Sequence, residues 1–462
     1  MSLKNKLIDK HYFMIEYFKV KNYKSYRDET ILSFVASRKE SGPNNDLPLS
    51  WYKEIDGKRI LKLLIGVGLN GAGKTKMLNA IEYLKEKATI KPQLPTIMPN
   101  YQPFLLDNES REKNSEFELS YYIDETNFIY VLKISRDRIE EEELKIKGHG
   151  QKVYTRKYDK ESETIKINFG SACDLNESDQ HDLEINLWYN ATVLATFGSL
   201  NLVSKLMKTN YDYFVNRLSI VHKANISLAE KLSTGDQERD AKIKELLTQL
   251  LKDVGSKIVD YRIEEVSINL NDLIKNETPD IVKNVLQQQY PNGNLKQKVV
   301  RFIHELQTEL PKLKEDDPTE YQTVYRSLEF DPESDGTKQI IKLGLVLYDI
   351  AVGKKSACID EFERLMHSKA VEFILKMYLS LAADRECQLF VATHDLILFD
   401  SKFIRQDAVR KFQKGADGVT RILKKRYVHH TMNFLNSYNE ELDEEIGREE
   451  DEATTLSFYQ DF

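Results

Sequence analysis

The chain is poor in the residues that staple or anchor a protein. It holds three cysteines, Cys173, Cys358 and Cys387, among 462 residues. They are too few and too scattered for a disulfide framework or a cysteine-rich zinc site, so a reducing cytoplasm is the expected compartment. No apolar run is long enough to span a bilayer, and no membrane contact is expected. Met1 to Phe13 carries several lysines but no apolar core, which excludes a secretory signal. An excess of positive charge is lacking too: the formal net charge is −7. Nothing therefore pulls the whole chain toward nucleic acid, and any such contact needs a local basic patch that sequence order does not reveal. Internal repeats, low-complexity tracts and heptads lasting beyond about three turns are also absent. What is there is 41% hydrophobic and 31% charged. That balance fits a globular chain with a polar surface and enough length for two or three domain-sized units.

One stretch organises the rest. Gly68-Leu69-Asn70-Gly71-Ala72-Gly73-Lys74-Thr75 fits the phosphate-binding loop Gly-x-x-x-x-Gly-Lys-Thr without a mismatch. Ile60 to Ile65 before it reads as a buried strand. Met77, Leu78, Ile81 and Leu84 after it have helical spacing. In that context the glycines allow backbone shapes that other residues resist. The loop N–H groups from Asn70 to Thr75 point with the helix N-terminus at phosphate oxygens. Lys74 reaches the β- and γ-phosphates, and the Thr75 hydroxyl ligates Mg²⁺.

Around this loop the pattern predicts an α/β fold with a largely parallel sheet. Residues 1–13 read as an extension. Residues 14–190 read as a first lobe with the loop and an antiparallel β subdomain, whose hairpin turns at Asp124-Glu125-Thr126-Asn127. A mainly helical insertion is expected over 191–325, with Ile258 to Leu270 as a strand and Asp280 to Leu313 helical, broken at Pro291-Asn292-Gly293. Residues 326–425 form a second lobe, and 426–462 an acidic tail.

Two features of the second lobe complete a hydrolytic site. Ala357-Cys358-Ile359 is a short strand ending in Asp360 and Glu361. Hydrolysis needs a second Mg²⁺ anchor and a group that activates water; Asp360 suits the first role and Glu361 the second. Leu389 to Thr393 is the next strand, and His394 at its tip can hydrogen-bond a γ-phosphate and sense its loss.

The order of loop, acid pair and strand-end histidine resembles the ABC/SMC-type ATPases, a P-loop NTPase head fold. Glu333-Ser334-Asp335-Gly336-Thr337-Lys338, one helix ahead of Asp360, is similar to their signature. That form and the opening Met14 to Tyr26 resemble bacterial AAA family ATPases of the abortive-infection and RloA-like group, related to the ATPase half of OLD nucleases. The segment after His394 is too short for the TOPRIM nuclease of the latter. The resemblance implies ATP and Mg²⁺, and a homodimer in which Ser334, Gly336 and Thr337 of one copy cap the nucleotide held by the other. It offers Lys24 and Ser25 as base or α-phosphate contacts, with a plain turn as the alternative. Gln102 becomes the candidate Gln-loop metal contact, and His367 a dimer-contact residue. Leu232-Ser233-Thr234-Gly235-Asp236-Gln237 imitates the signature more literally, but it lies too far ahead of Asp360 and reads as a helix break. The resemblance also implies a separate effector protein, plausibly a nuclease, in phage defence. Two rivals remain: a DNA-clamping ATPase of the repair type, stimulated by DNA, and a self-contained ATP-dependent nuclease.

Overall fold

The computed structural model describes residues 13–37, 50–94, 96–148, 150–222, 227–269, 279–290, 293–309, 319, 321–395 and 403–423. The acidic tail and all but the last residue of the expected extension lie outside them.

The chain divides into two compact units. The first comprises residues 1–223, 350–363 and 375–462. It opens with β1 (Phe13–Lys21), β2 (Thr30–Ser33), β3 (Tyr52–Ile55), β4 (Lys58–Leu61) and β5 (Leu63–Val67). The loop helix α1 (Lys74–Thr89) follows. Next come β6 (Ser115–Ile123), β7 (Thr126–Ile134), β8 (Ile139–Ile146), β9 (Lys152–Asp159), β10 (Thr164–Phe169) and, after short helices, β11 (Leu218–Val221). Strands β1, β2 and β6 to β10 make a seven-stranded sheet in the order β10-β9-β8-β7-β6-β1-β2, antiparallel throughout. This is the expected β subdomain, and its β6–β7 hairpin turns where the sequence placed it.

Ile60 to Ile65 is not one strand. Lys62 interrupts it: its buried ammonium donates to the carbonyls of Ala382 and Ala383 at 2.6 and 2.9 Å. The chain leaves the small β3–β4 hairpin at that point and enters the core sheet as β5, every residue of which is buried. On α1 the spacing holds: Met77, Leu78, Ile81 and Leu84 are all fully buried. Each contributes roughly 1.5–3 kcal/mol of apolar burial. Tyr83 of α1 stacks with Tyr23 at 5.4 Å and meets Phe117 of β6 at 5.6 Å, fastening the helix to the antiparallel sheet.

The second unit comprises residues 224–349 and 364–374. It contains helices Leu228–Leu232 and Gln237–Asp253, then β12 (Ile258–Asn269), helix Asp280–Gln289, β13 (Asn294–Glu309) and β14 (Tyr321–Glu329). The signature helix Asp335–Val352 follows. Strands β12, β13 and β14 form an antiparallel sheet. Asp280 to Leu313 is therefore not helical throughout: after one helix the chain turns into β13. Leu295, Val299, Phe302 and Leu306 mimic helical spacing. The β-branched and aromatic run Val299-Val300-Arg301-Phe302-Ile303 prefers a pleated surface, with Val300 and Phe302 turned inward. The imitation signature lies between two helices, and Asp236 caps the second of them through the Arg239 N–H.

The chain then returns to the first unit's core sheet with β15 (Ser356–Ile359), β16 (Gln388–Thr393), β17 (Val409–Lys414) and β18 (Thr420–Leu423). Its order is β11-β15-β16-β5-β17-β18. Every pairing is parallel except the β17–β18 hairpin. In an α/β sheet of this kind ligands bind beyond the carboxyl ends of the strands.

Candidate nucleotide site

Strand register alone brings the chemistry to one edge. Val67 pairs with Thr393, so the loop and His394 leave adjacent parallel strands at the same level. Ile359 pairs with Val391, which places Asp360 at that edge one strand further along.

The loop between β5 and α1 turns on its glycines. Gly71 and Gly73 lie at φ +83° and +105°. At Gly73 a side chain is excluded twice: by the left-handed backbone, and by Thr420 Oγ1, which a Cβ would approach to 2.4 Å. Tyr26, fully buried, donates from its hydroxyl to the Gly73 carbonyl at 2.9 Å. Asn70, Gly71 and Thr75 are exposed, while Ala72 and Gly73 are buried beneath them. Lys74 is 5% exposed. Its ammonium donates to the carbonyls of Gly68 and Leu69 at 2.5 and 3.2 Å and lies 3.0 Å from Nδ1 of His394. A protonated lysine has only donors, so Nδ1 accepts and Nε2 carries the imidazole proton. Burial pushes the Lys74 ammonium down to about 8, against the pull of Glu363 and, more weakly, Asp360.

The turn after β15 is held at both ends. The Asp360 N–H donates to Val221 at 3.1 Å, and the Phe362 N–H to Ala392 at 3.1 Å, with the Phe362 ring buried. Between them Glu361 adopts φ +46°, its N–H donating to Asp360 Oδ1 at 3.1 Å, and its side chain is exposed. The turn then delivers a third acid: Glu363 Oε1 accepts the His394 N–H at 2.6 Å.

Lys24 has φ +52°, and its N–H donates to the Gln102 carbonyl at 2.8 Å. The structure thus joins Lys24 to Gln102 through the backbone. Burial and the neighbouring Lys76 both lower the Lys24 ammonium's affinity for its proton. Ser25 is buried, and its hydroxyl accepts from Thr420 at 2.8 Å; the Thr420 N–H donates to the Ser25 carbonyl at 2.8 Å.

The signature residues belong to the other unit. Ser334 is exposed, and its Oγ accepts the Thr337 N–H at 3.2 Å, capping the helix start. Its hydroxyl also meets that of Thr337 at 2.8 Å. A Cβ on Gly336 would lie 2.9 Å from the Leu365 carbonyl, so a small residue is needed there. His367 is exposed, with Nδ1 accepting from the Lys369 N–H at 3.2 Å.

Sequence reasoning missed Tyr26, Thr420 and Glu363. Glu363 had a signal, a third acid in Asp-Glu-Phe-Glu. Thr420 had none, because only the β17–β18 hairpin brings it beneath the loop.

The residues fit Mg²⁺, a hard cation that takes oxygen ligands: the Thr75 hydroxyl is exposed at the start of α1 and the Asp360 carboxylate half-buried at the strand edge. Among the described residues no preformed cluster of histidine, cysteine and acidic side chains suits a metal held by protein alone. Mg²⁺ characteristically shares its shell with phosphates and water instead.

Among solved structures the chain is similar to an SMC head bound to the C-terminal winged-helix domain of ScpA. The identity is 13%, over 89% of this chain and 97% of that one, with a TM-score of 0.41. It is also similar to the SMC head domain from Thermotoga maritima, at 12% identity over 90% and 100% of the two chains and a TM-score of 0.39. A third is an Smc head domain with an extended coiled coil, bound to the C-terminal domain of ScpA derived from Pyrococcus furiosus. It is 13% identical over 94% and 99% of the two chains, with a TM-score of 0.36. No curated protein matches significantly. The family model described as the AAA ATPase domain matches residues 14–398, and the chain belongs to that family.

Proposed function

We propose that the protein binds ATP with Mg²⁺ and hydrolyses it, as an ABC/SMC-type ATPase. The observation that carries this reading is the meeting of Lys74 with His394 at 3.0 Å, where the phosphate-binding loop and the end of the adjacent strand β16 come together, with Asp360 at the end of the next strand, β15. The loop N–H groups from Asn70 to Thr75 hold the phosphates, and Lys74 turns from the Gly68 carbonyl to the γ-phosphate. Thr75 and Asp360 hold Mg²⁺, with Gln102 as a third candidate; the ion neutralises phosphate charge when bound. Glu361 takes a proton from the water that attacks the γ-phosphorus, and ADP leaves. His394 donates its Nε2–H to the γ-phosphate. Lys24 feels the charge of Lys76 in the first turn of α1, while Ser25 is buried against Thr420, so Lys24 is the better candidate for direct nucleotide contact.

In this reading Ser334, Gly336 and Thr337 cap the nucleotide of a second copy, and the homodimer closes and opens with hydrolysis. It controls a separate effector in phage defence, a role supported by the likeness of the signature and opening to the abortive-infection group. Phosphate release tests the core of the proposal. Wild-type protein with Mg²⁺ and ATP should turn over, and Lys74→Ala should lose at least about a hundredfold, in keeping with the loss of a preorganised charge. Equal rates would end the ATPase reading.

A further inference from the structure

The acid turn does more than present Asp360 and Glu361. Its third carboxylate is built into the strand edge. Glu363 Oε1 accepts the main-chain N–H of His394 at 2.6 Å, a charge-assisted distance. Glu363 Oε2 is buried and makes no hydrogen bond among the described residues. An unpaired buried carboxylate oxygen is costly, so the side chain is held there by its other contact and by the fold. That fold is explicit. The Phe362 N–H donates to Ala392, two residues before His394, and the Phe362 ring is buried. Glu363 therefore has a fixed root one residue away. His394 itself is exposed, at the point where β16 ends. Its imidazole nevertheless meets Lys74 at 3.0 Å. Something must fix the backbone there, and among the described residues the Glu363 carboxylate is the group bound to its N–H.

We propose that Glu363 is a positioning residue of the nucleotide site: by holding the His394 main chain it sets the contact between His394 and Lys74. Resting on the ATPase reading above, the proposal links the acid turn to the histidine through one hydrogen bond. Whatever moves the turn moves His394. The hold on the His394 main chain needs only an acceptor oxygen, so a carboxamide keeps it and a methyl group does not, while the carboxamide gives up the charge that Glu363 presents to Lys74.

Steady-state ATP hydrolysis by the full chain tests this, with wild type, Glu363→Ala, Glu363→Gln, His394→Ala and the double alanine variant. Thermal melts confirm that each is folded. Glu363→Ala should lower kcat at least tenfold with KM for ATP within about threefold, the pattern of a lost transition-state contact. Glu363→Gln should restore kcat to within threefold of wild type, because its amide oxygen still accepts the His394 N–H. Adding Glu363→Ala to His394→Ala should change kcat less than twofold, since residues acting through one another are not additive. Wild-type kcat in Glu363→Ala overturns the proposal. So does a Gln variant as poor as Ala, or a double variant whose losses multiply. A wild-type protein that neither binds nor hydrolyses ATP would instead remove the ATPase reading, and that result is read before any variant is compared.

Discussion

Gly73 shows how a single position is decided by two independent constraints. Its φ of +105° already disfavours any side chain, and Thr420 occupies the space a Cβ would need. Gly73→Ala should therefore deform the loop, costing about 1–3 kcal/mol of strain at the site. ATP binding, measured by a fluorescent analogue, should fall at least tenfold. Thr420→Ala in the same protein should recover part of the loss by clearing the clash, while leaving the backbone strain. Recovery to wild type would mean that φ at this position costs nothing. Glu361 makes the complementary case, because its exposure leaves it available to water while its backbone is bent to φ +46°. Glu361→Gln should keep ATP affinity and lower kcat by roughly 10²–10⁴-fold, the usual worth of a positioned base. A turnover equal to wild type would remove Glu361 from that role.

At the scale of elements, the antiparallel sheet is tied together by one buried acid on β1. Glu16, 4% exposed, accepts hydrogen bonds from Lys58 at 2.6 Å, Lys147 at 2.7 Å, Ser120 at 2.8 Å and Asn127 at 2.6 Å. Burial pushes its carboxyl up, but bonds from Lys147, Lys58, Asn127 and Ser120 outweigh that and hold it at about 2. The folded value lies below the unfolded one, so the stabilisation is present above about pH 4.5 and is lost as pH falls toward 2. Glu16→Gln should cost roughly 1–3 kcal/mol at pH 7 by urea unfolding, since its lysine partners are partly solvated, and the difference from wild type should shrink steadily between pH 4.5 and 2. A difference independent of pH would place the effect in packing. None of this network is visible in sequence, because its members lie on β1, β4, β6, β7 and the turn after β8. The elements themselves were more legible. Residues 74–89 and the strands flanking Asp124 carry periods of 3.6 and 2 that burial on one face dictates. Strand β13 was misread because its apolar spacing satisfies both periods in part. Lys62 hid the break between β4 and β5 because a lysine capping distant carbonyls looks like a surface residue. At the site, Lys74 could be picked out because it closes the glycine-rich loop motif, and Asp360 and His394 because each lies directly after a strand. Thr420 could not, and Glu363 showed only as a third acid without a partner, since the partners of both are set by turns and hairpins rather than by local pattern.

At the scale of the whole molecule, the proposed assembly turns on the exposed start of the signature helix. Ser334 caps it through the Thr337 N–H, yet other N–H groups of a first helical turn have no partner within the helix. With the helix dipole they form a surface that favours an anion. If that anion is the nucleotide of a second copy, two-fold symmetry supplies two composite sites. Glu361→Gln should then trap the pair. With ATP and Mg²⁺, light scattering should report twice the chain mass, and ADP should return it to one. Ser334→Arg, placed on the same background, introduces a long side chain at the helix start and should keep the mass at one chain. Its binding of ATP should stay within about threefold of wild type, since the phosphate-binding loop and Lys74 are untouched. A mass that ignores nucleotide, or a Ser334→Arg protein that pairs as readily as its parent, would mean that each chain completes its own site and that the signature helix serves another purpose.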